Sequence, residues 1–302
     1  HSLLTYTTMR RRMIPPEIAA AARERWVGVV PNLVAAVGLT QPFTGPQFIH
    51  ARMTEFVGAG LSGLIGYATP RVKYARFNVE AAAEWSWNAG GRTPAEFARS
   101  YAVRAGLRDP DLFAQWTETL GPVAWDVYGS EWPAGMRRGH PGPVSAMLPQ
   151  GKLPELGAIL WGVYPAPWGE IKSPEQLVAD VGAAGRALEL AREIGEPEFI
   201  HETRVVRGYI EALAALHALK LLAPEGRLAP SDREQAAREA QRYIAALGQS
   251  AEALHAWAIA VDPVEGDQLS EGTVTLVNEL AADMRVAMAE MGVQSWGRSG
   301  RG

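Results

Sequence analysis

Polar side chains that could bind a ligand follow two short apolar runs near the start of the chain. Asn32 follows the run Val27–Val30, while Tyr67, Thr69 and Arg71 close and follow a second run. In a parallel α/β fold, side chains just beyond the carboxyl ends of the strands face the ligand site. Asn and Tyr can each donate and accept hydrogen bonds, which suits sugar hydroxyls. We therefore predict substrate contacts from these four residues, with a plain turn at Asn32 and a surface charge at Arg71 as the alternative.

Further candidates for substrate contact lie on the helices and loops that come next. Asn78 stands in the first turns of a predicted helix, where its amide either caps the helix or reaches the pocket. Trp85, Tyr128 and Trp132 are candidates for stacking on sugar rings, although a large aromatic side chain on a helix more often anchors the core. We add these four residues to the predicted substrate-binding set and interpret Tyr128 and Trp132 as parts of a lid.

Two other spacings suggest catalytic chemistry but lack a full set of residues. Glu80 and Glu84 are four residues apart and share a helix face, where ion pairs with nearby basic side chains are the better interpretation. His201 and Glu202 begin the zinc motif H-E-x-x-H, but its fifth position is Val205. No P-loop and no serine-hydrolase motif of the form G-x-S-x-G occurs. We therefore predict no metal and no cofactor, and the catalytic residues stay unassigned.

Composition excludes several classes of protein. The 302 residues include 29 Lys and Arg against 33 Asp and Glu, and this net charge of −4 argues against a basic nucleic-acid binder. The chain has no Cys, so disulfides, zinc–thiolate sites and iron–sulfur clusters are excluded. No apolar run reaches the roughly 18 residues that a membrane span requires. Hydrophobic residues make up 47% of the chain, which is enough to bury a sizeable core.

The first part of the chain alternates between predicted helices and strands. Helices over about 16–26 and 47–57 each precede a short apolar run, at Val27–Val30 and Leu61–Tyr67. This rhythm is typical of parallel α/β units. Two parallel strands do not make a stable sheet alone, because their outer backbone groups need partners. We therefore expect a second polypeptide segment to complete the sheet, with this chain as the C-terminal piece of something larger.

Beyond Arg71 the prediction is almost entirely helical, so the fold class is mainly α. Three capping boxes mark helix starts, at Thr93 with Glu96, Ser173 with Gln176 and Ser231 with Glu234. We predict helices over about 73–88, 109–125, 173–194, 197–222, 231–260 and 271–291. We divide the chain into strand-and-helix units over 1–91, helices and an irregular region rich in Trp, Gly and Pro over 92–172, and an antiparallel helical bundle over 173–296.

The segments Gly60–Arg71 and Phe77–Asn88 together resemble the last strand and last helix of TIM-barrel exo-glycosidases. The resemblance is to β-N-acetylglucosaminidases of the hexosaminidase and O-GlcNAcase/hyaluronidase type, where a strand with polar residues at its carboxyl end precedes a helix of the pattern E-A-x-x-x-A-x-x-x-W-N. Microbial α-glucuronidases have a comparable run, which would continue here from Trp87-Asn88 into the helix at Thr93–Ala98. The likeness covers about residues 15–130.

This resemblance implies that residues 1–91 are the closing βα units of a (β/α)8 barrel, followed by a helical bundle domain. It implies a retaining glycoside hydrolase for N-acetylhexosaminides or related glycans, with an enzyme carboxylate or the substrate acetamide as nucleophile. The hexosaminidases carry an acidic pair, Asp-Asp or Asp-Glu, on an earlier strand, and neither pair occurs in this chain. The catalytic carboxylates would then lie on an N-terminal segment outside it.

Two other functions stay open at this point, and the compartment is only weakly indicated. The chain could be a non-enzymatic helical scaffold or subunit that binds a partner protein, since it holds no complete catalytic set. It could also be an unrelated α-rich enzyme that uses His201 or His217. We expect an extracellular or periplasmic protein, with a cytoplasmic one as the alternative, and a homo-oligomer is possible.

Overall fold

The computed structural model describes residues 8–36, 38–129, 144–160, 164–165 and 167–293. Among these residues, 67% are helical and 3% lie in strands, so the prediction of a mainly α fold is confirmed. Within the region rich in Gly and Pro, residues 130–143, 161–163 and 166 lie outside the described residues, and Trp132 is one of them.

The parallel strand pair predicted near the start of the chain is present. Its elements are α1 (Pro16–Ala22), β1 (Gly28–Val29), α2 (Pro46–Gly58) and β2 (Gly63–Leu64). Val29 lies opposite Leu64 in the parallel register, and a further parallel bridge joins Asn32 to Tyr67. Both strands are shorter than the apolar runs predicted. Within the described part of the chain, β2 has β1 as its one strand neighbour.

Helices account for nearly all of the remaining described chain. They are α3 (Arg76–Trp87), α4 (Pro94–Ala105), α5 (Pro110–Tyr128), α6 (Val144–Met147), α7 (Pro174–Ile194), α8 (Pro197–Leu222), α9 (Arg233–Val261) and α10 (Gly266–Glu290). A short antiparallel pair, β3 (Ile159–Leu160) and β4 (Tyr164–Pro165), precedes α7. Turns of 3₁₀ helix at Val72–Ala75, Pro224–Gly226 and Pro230–Asp232 lead into or out of the longer helices.

One of the three predicted capping boxes forms in full, and at Ser173 only the N-cap half forms, since the Gln176 side chain accepts from the N–H of Lys172. The Thr93 hydroxyl accepts from the backbone N–H of Glu96 while the Glu96 carboxylate accepts from the Thr93 N–H, which completes a capping box. Ser173 accepts from the N–H of Gln176 at the start of α7. The third prediction is wrong, because a 3₁₀ turn displaces the start of α9 to Arg233 and its N-cap makes no side-chain bond.

One contiguous hydrophobic core runs through all three predicted parts of the chain, from Met13 to Val293. Helix α2 packs against α3, α4 and α5, and α5 packs in turn against α7 and α8. Along the C-terminal part, α8 contacts α7 and α9, and α9 contacts α10. Helix α8 is therefore central, and its two long sides meet different neighbours. No helix within the described ranges is both long and apolar enough to cross a membrane.

Candidate functional site

A cavity of about 210 Å³ lies where the segments that follow the two parallel strands meet the C-terminal helices. The segment after β1 contributes Phe43 and Thr44, and the segment after β2 contributes residues 73–78. The opposite wall comes from α8 and α9, with Glu202 and Trp257 among its residues. The cavity therefore lies on the side of the molecule to which the carboxyl ends of both strands lead.

Two carboxyl groups line this cavity, Glu198 and Glu202, and Glu202 is buried, with 2% of its surface exposed. Its Oε1 accepts a hydrogen bond from the backbone N–H of Thr44 at 2.5 Å, and its Oε2 lies 2.8 Å from the Thr44 hydroxyl oxygen. Burial raises the pKa of Glu202 to about 8, against the opposing effect of the Thr44 hydrogen bonds. At neutral pH the group is mainly a carboxylic acid, which can donate as well as accept.

The helical period explains why a Glu lies in this position. Phe199 and Val206 are three residues before and four residues after Glu202, so the carboxyl group projects from an apolar face of α8. Thr203, the next residue, accepts a hydrogen bond of 2.8 Å from the indole N–H of Trp116 on α5. This part of α8 is thus held firmly against α5 while Glu202 faces the loop that follows β1.

Asn78 fixes that loop in front of Glu202. Its Nδ2 donates to the carbonyls of Leu33 and Phe43 at 3.0 and 2.6 Å, and its Oδ1 accepts from the N–H of Gly45 at 3.1 Å. One side chain that is 1% exposed thereby holds both ends of the loop between β1 and α2. Of the predicted substrate-binding residues that the structure describes, Asn78 is the one that lines the cavity.

A second set of polar contacts ties the segment after β2 to the start of α10. The Tyr74 hydroxyl lies 3.3 Å from Asp262 Oδ2, and Lys73 forms an ion pair with the same carboxylate. Burial, followed by the charge of Asp262, raises the pKa of Tyr74 to about 12. Arg71 pairs with Glu265 at 2.7 Å and keeps 53% of its side chain exposed. Tyr74 and Lys73 thus enter the cavity wall with their polar ends already fixed.

Aromatic rings form most of the remaining cavity wall. They are Phe43, Tyr74, Phe77, Tyr101, Phe113, Phe199 and Trp257. The ring centroids of Tyr74 and Trp257 lie 5.4 Å apart, and those of Phe77 and Tyr101 lie 4.8 Å apart. Aromatic rings and polar side chains thus share the cavity wall, and both kinds of contact can bind and orient a small molecule.

The residues predicted directly at the strand ends lie together but outside this cavity lining. Asn32 and Tyr67 are joined by the parallel bridge, and Asn32 is 1% exposed. Thr69 precedes Pro70 across a cis peptide bond. Among the described residues, the buried hydroxyl oxygen of Thr69 has no hydrogen-bond partner. The segments that do reach the cavity begin several residues farther along each loop.

The two described aromatic candidates, Trp85 and Tyr128, are both completely buried. The Trp85 indole donates to the carbonyl of Arg92 at 2.9 Å, and its ring lies 5.1 Å from that of Phe97. The Tyr128 ring contacts Phe43, at 5.4 Å between centroids. Neither ring offers a face to a ligand arriving from solvent, and Trp132 lies outside the described residues.

The sequence interpretation missed Glu202 as a cavity residue because it weighed that position only as part of a zinc motif. The useful signal was a Glu among the buried apolar positions of α8, with a second carboxyl group, Glu198, one helical turn earlier in the same cavity lining. Tyr74 and Trp257 carried no comparable signal, since they reach the cavity through tertiary packing. Glu80 and Glu84 are in exposed ion pairs with Arg76 and Arg92, as expected. No cluster of potential metal ligands occurs among the described residues.

No family model, curated protein or solved structure matches this chain. The functional argument therefore depends on the cavity itself, on its position after the parallel strands and on the charges around it.

Proposed function

We propose that this chain is part of a glycoside hydrolase for N-acetylhexosaminides or related glycans, and that the cavity beside Glu202 binds one sugar ring. The cavity volume of about 210 Å³ is below the roughly 300–1,000 Å³ of sites for drug-sized ligands. A single pyranose is a ligand of suitable size. The observation that carries the proposal is a buried carboxyl group, its pKa raised by that burial, in a cavity with aromatic rings at the carboxyl-terminal side of two parallel strands.

The chemistry of the cavity suits a sugar. Ring faces such as those of Trp257 and Phe199 can cover the apolar C–H surface of a pyranose. The neutral carboxyl of Glu202 can donate to, or accept from, a sugar hydroxyl, and Lys73 and Arg76 add donors at the side of the segment after β2. This set supplies binding contacts, while hydrolysis needs a pair of carboxylates across the scissile bond.

A catalytic carboxylate pair on another segment is consistent with the two-stranded sheet, because that sheet has an edge at which a further strand can pair. In a parallel ladder alternate residues point their backbone groups to opposite sides, so Leu64 and Gly66 direct theirs away from β1. We place a further parallel strand at this edge, on a second polypeptide segment that completes a (β/α)8 barrel and carries the catalytic acid. In this arrangement 174–290 is the antiparallel helical bundle behind the barrel. The enzyme would be retaining, would need no cofactor and would act outside the cytoplasm.

Ligand-observed NMR with N-acetylglucosamine tests the binding step on the chain as it stands. Ala260 is exposed and lines the cavity, so Ala260→Phe should block its mouth and abolish the saturation-transfer signal. Ile259→Phe adds an aromatic ring at the neighbouring exposed position, outside the cavity lining, and should leave the signal intact. A signal that survives Ala260→Phe, or no signal from the unaltered chain, would overturn the proposal.

A helical scaffold without enzymatic activity is the second candidate, and one observation favours it. Both oxygens of Glu202 already bond Thr44, so the carboxyl group could serve only to hold the loop. Under this alternative N-acetylglucosamine gives no saturation-transfer signal with the unaltered chain, with Ala260→Phe or with Ile259→Phe. Substitutions of Glu202 then change only the stability of the protein.

A further inference from the structure

A second depression, a groove of about 500 Å³, lies on the other side of α8, between α7, α8 and α9. Its polar lining consists of Arg192, His201, Arg204, Arg207, Gln249 and Glu252. Gly208 lies at its floor, where a side chain would collide with Ser250 and the Ala246 carbonyl of α9. The groove is therefore shaped by the close approach of two helices beneath a ring of polar side chains.

The charges in this groove are unbalanced. Three guanidinium groups face it against one carboxylate, that of Glu252. Arg207 is paired with Glu211 at 2.7 Å, whereas Arg192 and Arg204 form no ion pair within the described part of the chain. Arg204 and Arg207 are three residues apart on one face of α8, where like charges repel. With Arg207 paired and Glu252 offsetting one of the other two charges, the groove lining keeps a net positive charge.

His201 adds a polar group to the same face of α8. Burial, followed by the charge of Arg204, lowers the pKa of His201, so its ring is mainly neutral at pH 7. Its Nδ1 atom is buried and has no hydrogen-bond partner among the residues that the structure describes. A buried ring nitrogen left unbonded costs free energy unless a ligand or water satisfies it.

We propose that this groove binds the phosphate group of a small phosphorylated molecule. Guanidinium groups form paired, charge-assisted hydrogen bonds with phosphate oxygens, and three arginines line this groove, two of them without an ion pair among the described residues. The groove is larger than a phosphate ion, and Gln249 and Glu252 lie on its α9 side, where they can bond hydroxyls on the rest of the molecule. A nucleic-acid backbone is disfavoured because the chain has a net charge of −4. The proposal is independent of the sugar site.

Isothermal titration calorimetry with inorganic phosphate tests it on the full chain, with sodium chloride at equal ionic strength as the blank. We expect saturable phosphate binding that weakens by about tenfold or more in the double variant Arg192→Gln/Arg204→Gln. The control Arg108→Gln/Arg227→Gln removes the same charge from two exposed arginines outside the groove and should bind phosphate as the unaltered chain does.

Thermal unfolding without phosphate checks that both double variants fold. All four substituted arginines are exposed, so the melting temperatures of both double variants should stay close to that of the unaltered chain. Two results would overturn the proposal: phosphate heats that do not exceed those of chloride, or an equal loss of binding in the two double variants.

Discussion

The two sides of α8 differ in how they accommodate ionisable side chains: one side buries a carboxyl group and the other leaves a guanidinium group exposed. On one side Glu202, 2% exposed, lies in the aromatic cavity with both oxygens bonded to Thr44. On the other, Arg204 is exposed to an open groove without an ionic partner among the described residues. The two residues are about 200° apart around the helix, because successive residues advance by about 100°.

This contrast shows what burial demands of a polar group. Glu202 can be buried only because the chain itself supplies its hydrogen bonds and because proton uptake removes its charge. Arg204 keeps its hydration and needs no internal partner, so it is free to exchange water for a ligand. Mutations on the cavity side of α8 should therefore change mainly the stability of the protein. Mutations on the groove side should change mainly the binding of a ligand.

The largest effect is expected at Asn78. Asn78→Ala leaves the carbonyls of Leu33 and Phe43 and the N–H of Gly45 without their buried partner, so we expect a loss of about 3 kcal/mol in unfolding free energy. Denaturant titration measures it. Asn278→Ala, at an exposed position on α10, is the control and should change stability by less than about 0.5 kcal/mol. Equal stabilities of the two variants would refute the role of Asn78 in holding the loop.

Glu202→Ala should be nearly as destabilising, by about 2–3 kcal/mol, because it removes two hydrogen bonds to Thr44 and enlarges the cavity. Glu202→Gln keeps the shape and can bond both Thr44 atoms, so its loss should be below about 1 kcal/mol at pH 7. Chemical unfolding of the pair measures the difference. If alanine and glutamine prove equally mild, Glu202 does not hold the loop after β1.

Much of the fold was predictable because its signals are local. Thr93, Ser173 and the prolines that begin most helices act on their own turn of backbone, and their predicted starts agree with the structure to within a few residues. The exception, Ser231, fails because the Pro230–Asp232 turn competes for the same residues. The parallel pairing of β1 and β2 was also predictable, since the helix–strand alternation leaves few other arrangements.

The cavity was much less predictable because it depends on contacts between distant parts of the chain. Glu202 meets Thr44 across 158 positions of sequence, and Tyr74 meets Asp262 across 188. Trp85 looked like a sugar-stacking residue because aromatic content does not reveal whether a ring is exposed. Its complete burial follows from how α3 packs against its neighbours, which no local pattern encodes.

The pH dependence of stability should distinguish Glu202 from its amide. The pKa of Glu202 is higher in the folded protein than in the unfolded one, so its contribution is greatest below about pH 4.5 and is lost as pH rises toward 8. The Glu202→Gln variant does not lose stability in this way, because its amide group does not titrate. Between pH 6 and 8 its stability relative to the unaltered chain should rise by about 2 kcal/mol, as unfolding at a series of pH values would show. A constant difference would mean that Glu202 is ionised throughout.

The smallest effect is expected at Arg71, whose ion pair with Glu265 is largely exposed. Arg71→Ala should lower the unfolding free energy by no more than about 0.5 kcal/mol. High salt should reduce even this difference, because exposed charges are screened. A loss above about 2 kcal/mol that persists in high salt would show that Arg71 holds the segment after β2 by more than its ion pair.

The most direct test of the cavity chemistry is a ¹³C NMR titration of the Glu202 side-chain carboxyl, assigned by its disappearance in Glu202→Gln. We expect a midpoint near pH 8, which would establish a neutral carboxylic acid in the cavity at pH 7. A midpoint near the ordinary Glu value of about 4.3 would contradict it, and would leave a charged loop contact where we propose a sugar-binding acid.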